Sequence, residues 1–240
     1  MFDFFKKSHS VLGMNARNLE FIRPYNPKRA KEIADNKLLC KSVLKKNGIF
    51  VSSLIAKIKT VPELEAFDWQ TLPASFALKP NRGFGGEGIV VVYGKKKERS
   101  DAWIKADGSL ITIEDLKNHI RNILDGSFSL SNIPDTAFFE ERLQLLKLFK
   151  PYAYKGIPDI RVIVFNKVPV MAMLRLPTKE SGGKANLQQG ALGAGIDMSS
   201  GITTTAIHGK SGFIDKVPGT RLLLSGLKIP YWKDILTLSV

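Results

Sequence analysis

Cysteine is almost absent from this sequence. Cys40 stands alone in 240 residues, so no internal disulfide can form, and a reducing, cytoplasmic setting is expected. Long apolar runs are missing as well. No stretch approaches the ~18 consecutive apolar residues of a membrane-spanning helix. The opening MFDFFKKSHSVLG is too short in apolar residues for a secretory leader. Histidine is scarce: His9, His119 and His208 are scattered, with no cysteine partner and no zinc spacing. There is no internal repeat and no low-complexity segment. Acidic residues are also short, 22 against 36 Lys and Arg, which leaves a net charge of +14. That excess suits an anionic partner such as nucleic acid, phosphate or an acidic peptide, and does not choose among them. Nucleic acid is disfavoured, because no RNA-binding signature and no arginine-rich tail accompany the charge. The acid shortage is sharpest late in the chain: after Asp197 come only Asp215 and Asp234, and no glutamate.

What is present is ordinary globular material. The 44% apolar content supports a real core, and the length fits one large domain or two small ones. NPKRAKEIADNKLLCKSVLKKNG reads as a helix with a rough stripe of Ile33, Leu38, Val43 and Leu44, stopped at Gly48. SLIAKI reads as a strand. Thr60 and Glu63 have capping-box spacing. SFALKP and GIVVVYG read as strands, and WIKADGSLIT as a hairpin turning at Asp107-Gly108. Thr112 N-caps a helix through Leu124, ended near Gly126. TAFFEERL is strand-like. DIRVIVFNKVPVMAMLRL is two strands joined at Asn166-Lys167. ESGGKANLQQGALGAGID reads as a polar, glycine-rich loop, GITTTAI as a strand, and IPYWKDILTLSV as a helix starting at Pro230. The fold class is α+β, with antiparallel pairing in the second half.

One stretch carries a chemical question. ALKPNRGFGGEGIVVVYG contains G-x-G-x-x-G at Gly83, Gly85 and Gly88. A dinucleotide fingerprint needs strand, glycine loop, then helix. Here the glycines run into IVVV, four β-branched residues that favour a strand. The context is strand–loop–strand. Glycines in such a turn can aim N–H groups at a phosphate and let it approach the backbone, and Lys79 can add a point charge. A plain glycine-rich hairpin with a solvated lysine would look the same locally.

The wider series of motifs resembles the ATP-grasp superfamily, and within it the alpha-L-glutamate ligase-like proteins. DNKLLCKSVLKKNGIFV looks like the ATP-grasp opening. FALKPNRGFGGEGIVVV is similar to its glycine hairpin, and FFEERL to its hinge strand. DIRVIVFNKVPVMAMLRLPTKESGGKANLQQGA matches D-I-R-x-x-V…R…N-L-x-x-G of the glutamate-ligase branch, and VLGMNARNLEFIRPYNPKR resembles a related subgroup. The resemblance covers about residues 11–238.

The resemblance implies two α+β subdomains with ATP between them, here residues 31–135 and 136–240 after an extension over 1–30. It implies an ATP-dependent carboxylate–amine ligase working through an acyl-phosphate, with ATP and Mg²⁺ as cofactors and an acidic amino acid or peptide as substrate. Lys37 and Lys79 would bind nucleotide phosphates. Gly83, Gly85, Gly86 and Gly88 would form a mobile lid. Glu140, Glu141, Arg142 and Leu143 would lie at the adenine hinge, and Asp159 near the ribose or adjoining wall. Arg161 and Arg175 would face the transferred phosphoryl or the acidic substrate, with Lys184 and Asn186 in a loop near the γ-phosphate. Gln188 and Gln189 stand where a family member often has His-Arg. The family's late metal carboxylates have no counterpart here, so the metal ligands are unknown. The sequence reads as a domain lacking its C-terminal metal-binding part. A catalytic domain of this kind needs metal ligands from a second chain, a downstream reading frame or unusual residues such as Glu140 or Glu141; the alternative is a non-catalytic nucleotide-binding or regulatory remnant.

Overall fold

The computed structural model describes residues 11–96, 99, 101–209 and 211–240; His9, and Lys97 and Glu98 of the basic run 95–99, lie outside them. The chain's contacts divide into two units, one ending at Val51 and one from Ser52 to Val240. The described part of the first unit is helical. Helix α1 spans 14–25 and contains a π-helical stretch, Arg17–Ile22. Helices α2 (Lys28–Asp35) and α3 (Lys37–Lys46) follow. The single helix expected over 26–48 is therefore two. Asn36 adopts extended backbone, φ −116° and ψ 101°, and its side chain accepts the Leu39 N–H at 2.8 Å. A residue able to bond its neighbours' backbone competes with helix continuation and caps a new one instead. Gly48, at φ +74°, sits just past the C-cap, where the left-handed conformation favours glycine. Cys40 is half-buried.

The second unit holds two antiparallel sheets. Strands β1 (Leu54–Ile58), β2 (Phe76–Pro80), β3 (Val90–Lys95), β4 (Ala102–Lys105), β5 (Leu110–Thr112) and β6 (Ala137–Glu140) form a six-stranded sheet in the order β1-β6-β2-β3-β4-β5. Helices α4 (Val61–Glu65) and α5 (Ile113–Leu124) belong to this half. Phe76, Leu78, Val92, Trp103 and Phe139 form one core with Leu64, Leu116, Ile120 and Ile123 of the helices. Edge-to-face contacts of Phe76 with Trp103 and with Phe139, at 5.7 and 5.3 Å between centroids, fix the centre. Helix α5 starts at a complete capping box. Thr112 Oγ1 accepts from Asp115 N, and the Asp115 carboxylate accepts from Thr112 N. At Thr60 the return bond goes one residue further back, from Lys59 N to Glu63 Oε2 at 2.7 Å.

Strands β7 (Asp159–Phe165), β8 (Val168–Leu176), β9 (Leu192–Ile196), β10 (Thr203–His208) and β11 (Phe213–Ile214) form the second sheet, ordered β11-β10-β9-β8-β7. Asn166 and Lys167 both take positive φ, 48° and 63°, as a tight two-residue hairpin turn requires. The stretch expected as one glycine-rich loop ends in β9. Gly193 and Gly195 alternate with buried Leu192, Ala194 and Ile196. The glycines hide the strand pattern, and they stand where space is short. A Cβ at Gly193 would meet Leu187 Cδ2 at 2.9 Å, and one at Gly195 would meet Thr204 Oγ1 at 2.9 Å. Helix α6 (Trp232–Ser239) begins two residues after Pro230, because Tyr231 takes the left-handed region at φ +57°. Trp232 closes the second core and donates its indole N–H to Met198 O at 3.0 Å. Among the described residues no helix is long and apolar enough to cross a membrane.

The β9–β10 turn supplies a pH test. Asp197 accepts from the Ser200 hydroxyl and N–H and from the Ser199 hydroxyl. These bonds, Ser200 first, hold its carboxyl down to about 2 from the usual 3.8. Its folded value is below its unfolded one. Its contribution to stability is thus present above 3.8 and fades as pH falls through about 2. Carboxyl-carbon NMR should give a midpoint near 2; an ordinary aspartate titration would show that the turn does not hold it.

Candidate functional site

Alternation on β2 sends Phe76 and Leu78 into the core and Ala77 and Lys79 to the other face. Register does the same on β6: Phe139 enters the core, while Phe138 and Glu140 share a face with Lys79. Lys79 Nζ and Glu140 Oε1 are 2.5 Å apart, with side chains 25% and 5% exposed. Tyr93 of β3 is on this face too, and the Arg142 guanidinium lies 4.3 Å from its ring centroid, a cation–π pair. Arg142 Nε is buried with no hydrogen-bond partner, which leaves a charged donor unsatisfied beside the ion pair's strand.

The glycine turn joins β2 to β3 next to Lys79. Its base is fastened at both ends. Gly83 bridges Ser129, and a Cβ there would overlap Pro80 Cγ. Gly88, at φ +68°, packs so closely that a Cβ would lie 2.6 Å from Phe128 Cγ. His119 Nε2 is 2.8 Å from Gly88 O. Between these anchors Gly85 and Gly86 hold φ +63° and +80° with open space where a Cβ would be. An anchored base with an exposed glycine tip can close over an anion. His119 lies on the stripe Leu116, His119, Ile120, Ile123 of α5, and that spacing was the sequence signal for an inward-facing histidine.

Beyond β6 the chain leaves the sheet. Glu141 is exposed, and its N–H donates to Ser53 O at 2.9 Å. Leu143 is 51% exposed and its carbonyl accepts from Arg142 at 3.4 Å. On the second sheet Asp159 pairs with Arg175 across β7 and β8. Arg175 Nε donates to Asp159 Oδ1 at 2.6 Å, and Arg175 Nη2 pairs with Oδ2. This two-point fork is the geometry an arginine offers a carboxylate or a phosphate; here Asp159 holds it. Arg161 follows on the same face of β7, opposite Met173, and is exposed. Lys184 and Asn186 share the 177–190 loop. Asn186 caps a short turn by accepting from Gln188 N at 3.0 Å, and Lys184 is exposed. Gln189 Oε1 is buried in that loop without a partner. Lys37 belongs to the other unit, where it is the first residue of α3. The structure thus brings Lys79, Glu140, Arg142 and the glycine turn together on one sheet, and Asp159, Arg161 and Arg175 together on the other.

Two antiparallel sheets with few helices and a glycine turn between strands are consistent with an ATP-grasp fold. A family model described as sugar-transfer associated ATP-grasp matches residues 16–240, and the chain belongs to that family. No curated protein and no solved structure matches it.

Proposed function

We propose that the chain is an ATP-dependent carboxylate–amine ligase, with residues 31–135 and 136–240 as the two subdomains that hold the nucleotide. The observation that carries this reading is the open-tipped glycine turn, fastened at Gly83 and Gly88, with the Lys79 ammonium on the strand that enters it. Triphosphate burial without cations would cost several kcal/mol. Lys79 is the lysine beside the turn, under the lid of Gly83, Gly85, Gly86 and Gly88, and the motif series assigns Lys37 of the first unit to the phosphates as well. The unsatisfied Arg142 Nε is a donor awaiting an acceptor, which supports a ligand along the stretch Glu140, Glu141, Arg142, Leu143. ATP supplies the phosphoryl group: a substrate carboxylate oxygen attacks the γ-phosphorus, ADP leaves, and an amine then displaces phosphate from the acyl carbon. Asp159 positions Arg175, and Arg161, Lys184 and Asn186 steady the oxygens that gain charge. The glutamate-ligase motifs favour an acidic amino acid as one substrate. The lone Cys40 supports a reducing, cytoplasmic setting for this chemistry.

Magnesium takes few protein carboxylates and completes its shell with phosphate oxygens and water. Among the described residues no three His, Cys, Asp or Glu side chains gather into a metal cradle. Magnesium held through phosphates needs only one or two carboxylates, so its protein ligands stay unassigned, and no step here passes through the ion. The scarcity of carboxylates after Asp197, where only Asp215 and Asp234 follow, favours a second reading, a module that binds nucleotide without turnover.

The test is calorimetric titration with ATP and with a non-hydrolysable analogue, followed by phosphate release in the presence of glutamate and amine or carboxylate co-substrates. Binding with release is expected for the ligase. Binding without release selects the module, and no binding at millimolar nucleotide overturns both.

A further inference from the structure

A cavity of about 680 Å³ opens in the second unit, and none of the residues assigned above to nucleotide or phosphoryl transfer lines it. One wall is the segment before β7, with Tyr152 and Tyr154. A second is the exit of β8, Pro177 to Glu180. His208 at the end of β10 and the turn at 217–220 complete it. The first two walls are stitched together by Tyr154 N donating to Pro177 O at 2.9 Å. The volume is that of a small-molecule site.

Its chemistry is mixed in a particular way. The tyrosine and proline walls are flat and apolar. The rim carries acceptors: the Glu180 carboxylate, and the Thr178 and Thr220 hydroxyls, whose own hydrogens go to Gly190 O and Val217 O. His208 Nε2 lies 3.1 Å from Gly190 O and 3.1 Å from Glu180 Oε2. Both neighbours accept, so the hydrogen sits on Nε2 and holds the Glu180 carboxylate in place. Lys179 and Glu180 balance each other in charge. A polyphosphate wants several cations, which this rim lacks. A wholly apolar ligand would strip water from Glu180 and Thr178 without replacing it. A sugar ring meets both demands, because one face presents C–H groups to aromatic and proline surfaces while the edge presents hydroxyls. Tyr154, 38% exposed, is the wall residue that offers a ring for such stacking, with the Lys155 ammonium 5.5 Å from the ring centroid.

We propose that this cavity binds a six-membered sugar ring, carried as a glycoside. Glu180 and His208 both touch Gly190, the end of the loop that carries Lys184 and Asn186. A ring held here lies beside that loop, so the sugar-bearing compound is the ligase's co-substrate. That role rests on the ligase reading; the binding itself does not. The family's description as sugar-transfer associated agrees with it.

The experiment is saturation-transfer NMR on the whole chain with the methyl glycosides of glucose, galactose, N-acetylglucosamine and glucuronic acid. Wild type, Tyr154→Ala and Glu180→Gln are compared, and binding of a non-hydrolysable ATP analogue is measured on the same samples. The expected result is transfer to at least one glycoside, weakened tenfold or more by Tyr154→Ala and by Glu180→Gln, with analogue affinity unchanged. No transfer from wild type to any of the four overturns the proposal, even where the analogue binds. Equal transfer in all three proteins overturns it too, since the ring then sits elsewhere. Glycoside binding without analogue binding sustains the cavity and removes the ligase reading.

Discussion

Lys79→Ala should lose stability and nucleotide affinity together, and the two losses can be separated. Glu140 is 5% exposed and 2.5 Å from the Lys79 ammonium. Taking that cation from a nearly buried carboxylate costs about 3 kcal/mol, the lower end for removing one partner of a buried pair. A urea midpoint well below wild type is expected. The double variant Lys79→Ala with Glu140→Gln replaces the carboxylate by a neutral amide, and should recover most of that loss. Nucleotide affinity should not recover. A phosphate that loses a charged hydrogen bond gives up about 1.5–3 kcal/mol, roughly 10–150-fold in Kd. Calorimetry on the refolded double variant decides the matter. If it binds the ATP analogue as tightly as wild type, Lys79 serves only Glu140, and the nucleotide role assigned to it is wrong.

How far this site could be seen in the sequence depended on how local its parts are. The turns at Asp107-Gly108 and Asn166-Lys167, and the cap at Thr112, are set by neighbours within a few residues, so residue types alone revealed them. The strand after the glycines was legible for the same reason, and it removed the dinucleotide reading. The Lys79–Glu140 pair was not legible as a pair. It exists because β6 inserts between β1 and β2, which brings residues 61 positions apart onto one face. The Asp159–Arg175 fork was closer to hand, since the hairpin turn places those two residues opposite each other, yet the sequence could not say that they would grip one another. Strand β9 was hidden by Gly193 and Gly195, whose missing side chains make room for Leu187 and Thr204. The cavity was invisible. Its walls come from four separate stretches between Pro151 and Thr220, and none has a motif of its own.

Gly156→Ala should damage the second unit more than its conservative appearance suggests. Gly156 has no positive φ, so the cost is one of space. A Cβ there would overlap the Gly183 carbonyl oxygen and lie 2.8 Å from its carbon and 3.0 Å from Pro177 Cγ. Two of those atoms are backbone, which cannot swing aside as a side chain can. Either the segment carrying Tyr152 and Tyr154 or the loop carrying Lys184 and Asn186 must move. Overpacking of this kind costs about 1–3 kcal/mol, a fall of roughly 2–12 °C in Tm for a chain of this size. Gly94→Ala is the matched control, because Gly94 has ordinary φ and nothing within 4 Å of its Cβ position. It should stay within about 0.5 kcal/mol of wild type. Amide NMR should show Gly156→Ala shifting Lys184, Asn186 and Gly190, and the turnover expected on the proposed ligase reading should fall more than ATP affinity, since the glycine turn is on the other sheet. Equal melting of the two variants would mean that the loop yields freely. The close approach of Gly156 to Gly183 would then not be what sets the loop of Lys184 and Asn186 against the tyrosine wall.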